Sequence, residues 1–143
     1  SGLSVHSVLT LASIVELESS NVADKAGVAG VFFNRLAKNM SLGSDVTTYY
    51  AARVDMSERD LKMSEINAVN GYNTRAAGME GKIPISPIST VSESSIMAVL
   101  EPLKTTYLFF VADKNGKVYY ANTNQEHEQI IKTLKSQGLW YTY

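Results

Sequence analysis

Apolar positions recur at helical spacing near the start of the chain. Leu11-Ala-Ser-Ile-Val-Glu-Leu-Glu-Ser-Ser20 holds no Gly or Pro and reads as the second half of a helix beginning near Val5. At about 100° per residue, Val8, Ala12, Val15 and Ser19 share one face. Leu11 and Ile14 widen that face on one side, Val5 and Leu9 on the other, and Leu17 lies nearly opposite. A helix apolar almost all round belongs in a core. Ser4 or Ser7 is a suitable N-cap. After Asn21-Val-Ala-Asp24, a second helix is predicted from about Ala23 to Lys38. Val28, Val31, Phe32 and Leu36 form its stripe, and Gly27 and Gly30 permit close approach to a neighbour.

Further on the pattern weakens. Met40 to Asp45 is a turn around Gly43, and Val46 to Val54 suits a short strand or a helical turn. Ser57-Glu-Arg-Asp-Leu61 reads as a short capped helix. From Ser64 to Thr90 no period holds, and a connection that long is usually functional or mobile. Ser92 opens another helix that places Ile96, Val99 and Leu100 inward, with Pro102 past its end. Thr106 to Ala112 and Lys117 to Ala121 are β-rich and joined by Asp113-Lys-Asn-Gly116, a hairpin signal. A last helix, about Asn124 to Ser136, turns Ile130, Ile131 and Leu134 inward and closes at Gly138. The expected fold is α+β, mainly helical with one small antiparallel hairpin.

Composition narrows the function. The 143 residues suit one domain with a real core. Thirteen basic and fourteen acidic residues leave a net charge of −1 without a basic stripe, which argues against nucleic acid as partner. Cysteine is absent, which removes thiol catalysis, disulfides and thiolate metal sites. With only His6 and His127 present, no metal centre is expected, and no cofactor motif occurs. No apolar run reaches membrane-spanning length and no signal peptide is evident. With Ser1-Gly2 at its start, the chain reads as a soluble piece of a larger protein.

Chemistry is sought first at Glu16 and Glu18. Two positions apart, they flank the core face on opposite sides and cannot act as a pair. Glu16 falls beside Leu9 and Ala12, one turn from Ser13 and Ser20. Desolvation there would raise its pKa and suit a proton donor. On this stretch alone, solvated or capping glutamates are the commoner reading. Three other stretches carry polar groups. Leu42-Gly-Ser-Asp-Val-Thr-Thr-Tyr-Tyr50 offers hydroxyls, a carboxylate and aromatics that suit sugar rings, or equally a capped turn and core tyrosines. Gly71-Tyr-Asn-Thr74 is a weak signal, since Asn is common in turns. In Asn122-Thr-Asn-Gln-Glu-His127, Asn and Thr read as caps and His127 as structural.

In order along the chain, these stretches resemble the MltG (YceG-like) family of endolytic murein transglycosylases. Leu11-Ala-Ser-Ile-Val-Glu-Leu-Glu18 is similar to the family's catalytic-glutamate motif, and Val31-Phe-Phe-Asn-Arg-Leu36 to its Val-Phe-x-Asn-Arg-Leu segment. Leu42-Gly-Ser-Asp-Val-Thr47 resembles a Leu-Gln-Ser-Asp-Pro-Thr turn, with Gly43 and Val46 as departures. Tyr72-Asn-Thr74 resembles a Tyr-Asn-Thr segment. Ile83-Pro-Ile-Ser-Pro87 resembles Gly-Pro-Ile-x-Asn-Pro, with Ser86 in place of Asn. Tyr107-Leu-Phe-Phe-Val-Ala112 with His127 fits the closing hairpin and helix.

The resemblance implies a lysozyme-like transglycosylase domain over residues 1–143, part of a larger protein anchored in the bacterial plasma membrane and acting on its outer side. It implies cleavage of the β-1,4 bond between N-acetylmuramic acid and N-acetylglucosamine in peptidoglycan, leaving 1,6-anhydro ends. It also implies cell-wall synthesis proteins as partners. By position Glu16 takes the catalytic acid's place, and Ser44, Asp45, Thr47, Tyr72, Asn73 and Thr74 contact substrate. One carboxyl suffices for this chemistry, because the sugar's own 6-hydroxyl is the nucleophile. A hydrolase of the lysozyme type would pair Glu16 with Asp45. An inert peptidoglycan-binding module would keep the groove without the reaction.

Overall fold

The structure is a computed structural model describing residues 2–140. Its elements are α1 (Val5–Glu18), α2 (Val22–Ala37), α3 (Asp45–Ala52), α4 (Met63–Ile66), α5 (Glu93–Leu100), β1 (Phe109–Ala112), β2 (Val118–Ala121) and α6 (Asn124–Ser136). This is an α+β fold. β1 and β2 pair antiparallel, with Phe109 opposite Ala121 and Ala112 opposite Val118.

Local chemistry sets the helix ends. Ser4 caps α1 by accepting from the Ser7 amide, and Asn21 caps α2 by accepting from the Ala23 amide. Thr123 caps α6 through the Glu126 amide, and Gly138 leaves it at φ 71°. α1 is the central helix. Leu11, Ala12, Ile14 and Val15 are almost wholly buried and pack with Val28 and Phe32 of α2 and Val99 of α5. Each large side chain there stabilises the fold by about 1.5–3 kcal/mol. Phe32 meets Phe110 of β1 edge-on at 5.7 Å, tying the hairpin to the helices. A methyl on Gly30 would strike the Leu103 carbonyl oxygen, and one on Gly27 the Tyr120 hydroxyl, so both glycines are needed for close packing.

One open alternative is settled and three expectations change. Val46 to Val54 is helical as far as Ala52, because Val46 and Tyr49 bury one face of α3. Residues 57–61 do not form a helix. Asp55 accepts from the Ser57 amide and hydroxyl and holds a turn instead, and the short helix forms at Met63–Ile66. There Glu65 accepts from the Lys62 amide and pairs with Arg59 at 2.8 Å. In α5, Ser95, Ala98 and Val99 face inward, whereas Leu100 is exposed and Ile96 only partly buried. β1 begins at Phe109 rather than Thr106.

The irregular run after α4 is fastened at intervals. Ser13 of α1 accepts from the Ile88 amide, and its carbonyl accepts from the Ser89 hydroxyl. Asn73 Nδ2 donates to the carbonyls of Glu65, Ile66 and Ala68. Its Oδ1 accepts from the Thr48 hydroxyl and the Arg75 amide. These bonds replace the missing secondary structure and satisfy buried backbone groups.

Candidate active site

Glu16 and Glu18 leave α1 about 200° apart and enter different surroundings. Glu16 turns to α5 and α2. Its Oε1 accepts from the Ser92 amide at 2.7 Å and the Ser95 hydroxyl at 2.9 Å. Its Oε2 lies 3.5 Å from Lys25 Nζ. Lys25 is only 4% exposed, and its ammonium also donates to the hydroxyls of Ser92 and Ser94. The Ser92 hydroxyl and amide, then the Ser95 hydroxyl, outweigh desolvation, and the Lys25 charge adds to them. The Glu16 pKa falls to about 2. The elevation expected from the sequence is therefore corrected: two donors and the Lys25 ammonium hold the Glu16 carboxylate and lower its pKa. It anchors the N-terminus of α5 to the end of α1.

Glu18 has the opposite character. It lines a cavity of about 450 Å³ between the α2–α3 turn, the hairpin and α6. Burial, followed by the neighbouring negative charge of Asp45, raises its pKa to about 7, while the Ser44 hydroxyl opposes the rise. Part of its side chain still meets solvent, as a carboxyl on a pocket wall must if it is to reach a ligand.

The cavity walls combine rings and cations. Arg35 Nε donates to the Leu108 carbonyl at 2.6 Å, and Nη1 donates to the Ser41 carbonyl at 2.9 Å. The Arg35 guanidinium lies 4.8 Å from the centre of the Phe109 ring. On Phe109 also stacks His127, with centroids 5.4 Å apart. Burial is the main cause lowering the His127 pKa below its ordinary value. Arg75 and Asp45 form an ion pair at 2.6 Å, and Trp140 completes the wall. Gly43 lies in this wall at φ 61°. A methyl group there would stand 3.3 Å from Arg35 Nη1, so glycine both permits the turn and keeps the space open. Among the described residues, no three His, Asp or Glu side chains are grouped to hold a metal.

The residues singled out in the sequence thus divide. Ser44 and Asp45 are in the cavity, but with Glu18, and Glu16 is not in its wall. Thr47, Asn73 and Thr74 are fully buried at 0% exposure and cannot touch a glycan. Instead Thr47 and Thr74 share a hydroxyl–hydroxyl bond of 2.7 Å, and the Ser44 amide donates to Thr74 Oγ1 at 2.9 Å. They hold α3 against the 72–75 loop and so position Ser44 and Asp45. Tyr72 also lies outside the cavity wall. Its hydroxyl meets Ser86 Oγ at 2.7 Å and its ring lies 5.0 Å from Tyr50.

Of these cavity residues, Glu18 is weighed in the sequence beside Glu16 and His127 reads there as structural, whereas Arg35, Phe109 and Trp140 are not singled out. For Glu18 a signal existed: it diverges from Glu16 on the wheel, and exposed neighbours such as Leu17 hid how crowded its own side is. For the others the sequence carries no such sign, since α2, β1 and α6 converge only in the fold.

Comparison with known proteins bears on this arrangement. The YceG-like family pattern matches residues 1–133. An endolytic murein transglycosylase of Bacillus subtilis is 41% identical over 127 residues, 89% of this chain and 34% of that protein. A protein of the same description from Streptococcus pneumoniae is 35% identical over 135 residues, 90% of this chain and 24% of that protein. The chain thus spans about a third or less of these relatives' length. A crystal structure of a yceG-like protein from Listeria monocytogenes superposes with a TM-score of 0.81 at 38% identity. That match covers 90% of this chain and 40% of the other.

Proposed function

The chain belongs to the YceG-like family, and from that premise we propose that the Glu18 cavity is the active site of a lytic transglycosylase acting on peptidoglycan. The observation that carries this reading is a carboxyl with a pKa of about 7 in an open, ring-lined cavity. Such a group is half protonated near neutrality, which suits a residue that must first donate and then accept a proton. Relatives described as endolytic murein transglycosylases supply the substrate class.

In the proposed reaction Glu18 protonates the oxygen of the β-1,4 bond between N-acetylmuramic acid and N-acetylglucosamine as the bond to the anomeric carbon breaks. The Glu18 carboxylate then takes the proton from the 6-hydroxyl of the muramic sugar as that oxygen attacks the same carbon. The product is a 1,6-anhydro end, no water is consumed, and the acid is restored. We assign the acid to Glu18 in place of Glu16, because Glu16 is already a bonded carboxylate. Phe109, His127 and Trp140 offer faces for the apolar sides of sugar rings. Asp45 has two effects: its charge keeps Glu18 protonated, and it can stabilise the positive charge that develops on the sugar. Action at the cell wall, attachment to the outer face of the plasma membrane through a segment outside these residues, and cell-wall synthesis proteins as partners belong to the same proposal. Among the described residues no helix is long and apolar enough to cross a membrane.

The test is turnover of intact glycan strands with mass analysis of the products. Anhydro ends are expected. Ends heavier by one water would identify a hydrolase with Asp45 as second carboxylate. Glu18→Gln should abolish cleavage, a loss of roughly 10²–10⁴ in rate, while glycan binding persists. Full activity in Glu18→Gln, with loss in a folded Glu16→Gln, would return the role to Glu16.

A further inference from the structure

Arg75 and Asp45 meet in the wall of the Glu18 cavity from positions 30 apart in sequence. Arg75 Nη1 donates to Asp45 Oδ1 at 2.6 Å, and the two side chains are 40% and 57% exposed. An ion pair with that exposure contributes little to stability, because water screens the charges and two side chains must be ordered. Yet both ends stand on fixed backbone. Asp45 is the first residue of α3, and the main chain just before it is tied down. The Ser44 amide donates to Thr74 Oγ1, and its carbonyl accepts from Thr47 Oγ1 at 2.7 Å. On the other side the Arg75 amide donates to Oδ1 of the fully buried Asn73, and Thr74 between them is equally buried. Fixing both ends of a pair that adds little to stability keeps two charges at set places in the cavity wall.

The charges around Glu18 show what those places affect. The cavity is lined by Arg35 from α2, Asp45 from α3, Arg75 from the 72–75 loop and His127 from α6, while the hairpin adds only apolar side chains. Two like charges in a partly desolvated cavity repel, so an ionised Asp45 opposes ionisation of Glu18. The Asp45 carboxylate cannot move far. Its side chain is short, its backbone is fixed, and the N-terminus of α3 favours a negative charge there. A cation 2.6 Å from it cancels much of its field. Arg35 does not share this task, since its guanidinium is bonded to the Leu108 and Ser41 carbonyls.

We propose that Arg75 is a positioning residue for the cleavage reaction: its ion pair holds the Asp45 carboxylate in place, masks part of that charge from Glu18, and so governs how readily Glu18 gives up its proton. This rests on the reading of Glu18 as the acid and adds a residue that acts on it only through Asp45. An acid that must next serve as a base works best when its proton is held neither too firmly nor too loosely. Burial and Asp45 tighten the hold, and Arg75 relaxes it.

The experiment takes two readouts on the 143-residue chain and its variants. One is the ionisation midpoint of Glu18, followed by NMR of the carboxyl carbons. The other is the alkaline limb of the pH–rate profile for cleavage of glycan strands. Arg75→Ala should raise both by about half a pH unit to one unit, the size of one unmasked charge in a partly wetted site. Its melting temperature should stay near the parent's, because the pair is exposed. Arg75→Lys should bring both readouts back toward the parent, since an ammonium supplies the same charge. Asp45→Asn should lower both. In the Asp45→Asn background, Arg75→Ala should move the midpoint no further. Arg35 and His127 are common to all variants and drop out of the differences. A midpoint unmoved by Arg75→Ala, or moved equally in the Asp45→Asn background, overturns the role of Arg75 and leaves Glu18 as the acid. A midpoint that rises while the rate limb stays at the parent's value shows that cleavage does not follow Glu18, and both readings then fall.

Discussion

Replacing Glu18 by Gln should change stability in a way set by pH. Glu18 titrates at the ordinary 4.5 in the unfolded chain and at about 7 in the fold. At about 1.4 kcal/mol per pH unit, ionising it costs about 3 kcal/mol more in the fold than in the unfolded chain. Residual contact of Glu18 with solvent screens part of this, leaving roughly 2–3 kcal/mol. The sign follows from proton binding. Between the two values the folded protein binds more protons than the unfolded chain. The contribution of this site is thus fully present below 4.5 and is lost as pH rises through about 7. Glutamine is never charged, so the variant escapes that loss. Urea denaturation of parent and variant would show nearly equal stability at about pH 4 and a variant more stable by roughly 2–3 kcal/mol at about pH 8. Other titrating groups are common to both proteins and cancel in the difference. A variant less stable than the parent at alkaline pH, or a difference that does not change with pH, would refute the reasoning. Glu18 would then be held ionised, and the acid role would lose its basis.

The counterpart at Glu16 should behave in reverse. Glu16→Gln leaves the buried Lys25 ammonium without its charge partner. It should destabilise the protein by about 2 kcal/mol at neutral pH, below the usual cost of breaking a buried pair because the Glu16 side chain is 29% exposed. The Glu16 contribution is present above the unfolded 4.5 and is lost as pH falls through about 2, so the variant's deficit in urea should vanish in strong acid. A deficit that persists unchanged there would disprove the linkage. Asn73→Ala removes a fully buried hub and strands three backbone carbonyls together with the Thr48 hydroxyl. It should cost roughly 3 kcal/mol by chemical denaturation yet leave the glycan affinity of the folded fraction unchanged. A selective loss of affinity would mean that Asn73 reaches substrate after all.

Much of this protein follows from local pattern. The 3.6-residue spacing of Val8, Leu11, Ala12 and Val15 makes α1 a core helix wherever it packs, and Ser4, Asn21 and Thr123 mark helix starts through bonds to their own next turns. Asp113-Lys-Asn-Gly116 marks the turn of the hairpin. Even the stretch proposed for catalysis is legible, because two carboxylates closing an apolar helix stand out. Which carboxylate is the acid is a different kind of question. Ionisation depends on what surrounds an atom in space, and the groups that decide it come from afar. Ser92, Ser95 and Lys25 bind Glu16 across 76, 79 and 9 positions of sequence, and Asp45 reaches Glu18 across 27. Asn73 and Thr74 show the same limit, since an Asn or Thr in a turn reads alike whether it meets a ligand or the backbone of its own chain. Only the packing of α2, α3, α5 and the hairpin around the end of α1 decides that Glu16 is bound by donors and a cation while Glu18 is crowded and its pKa is raised.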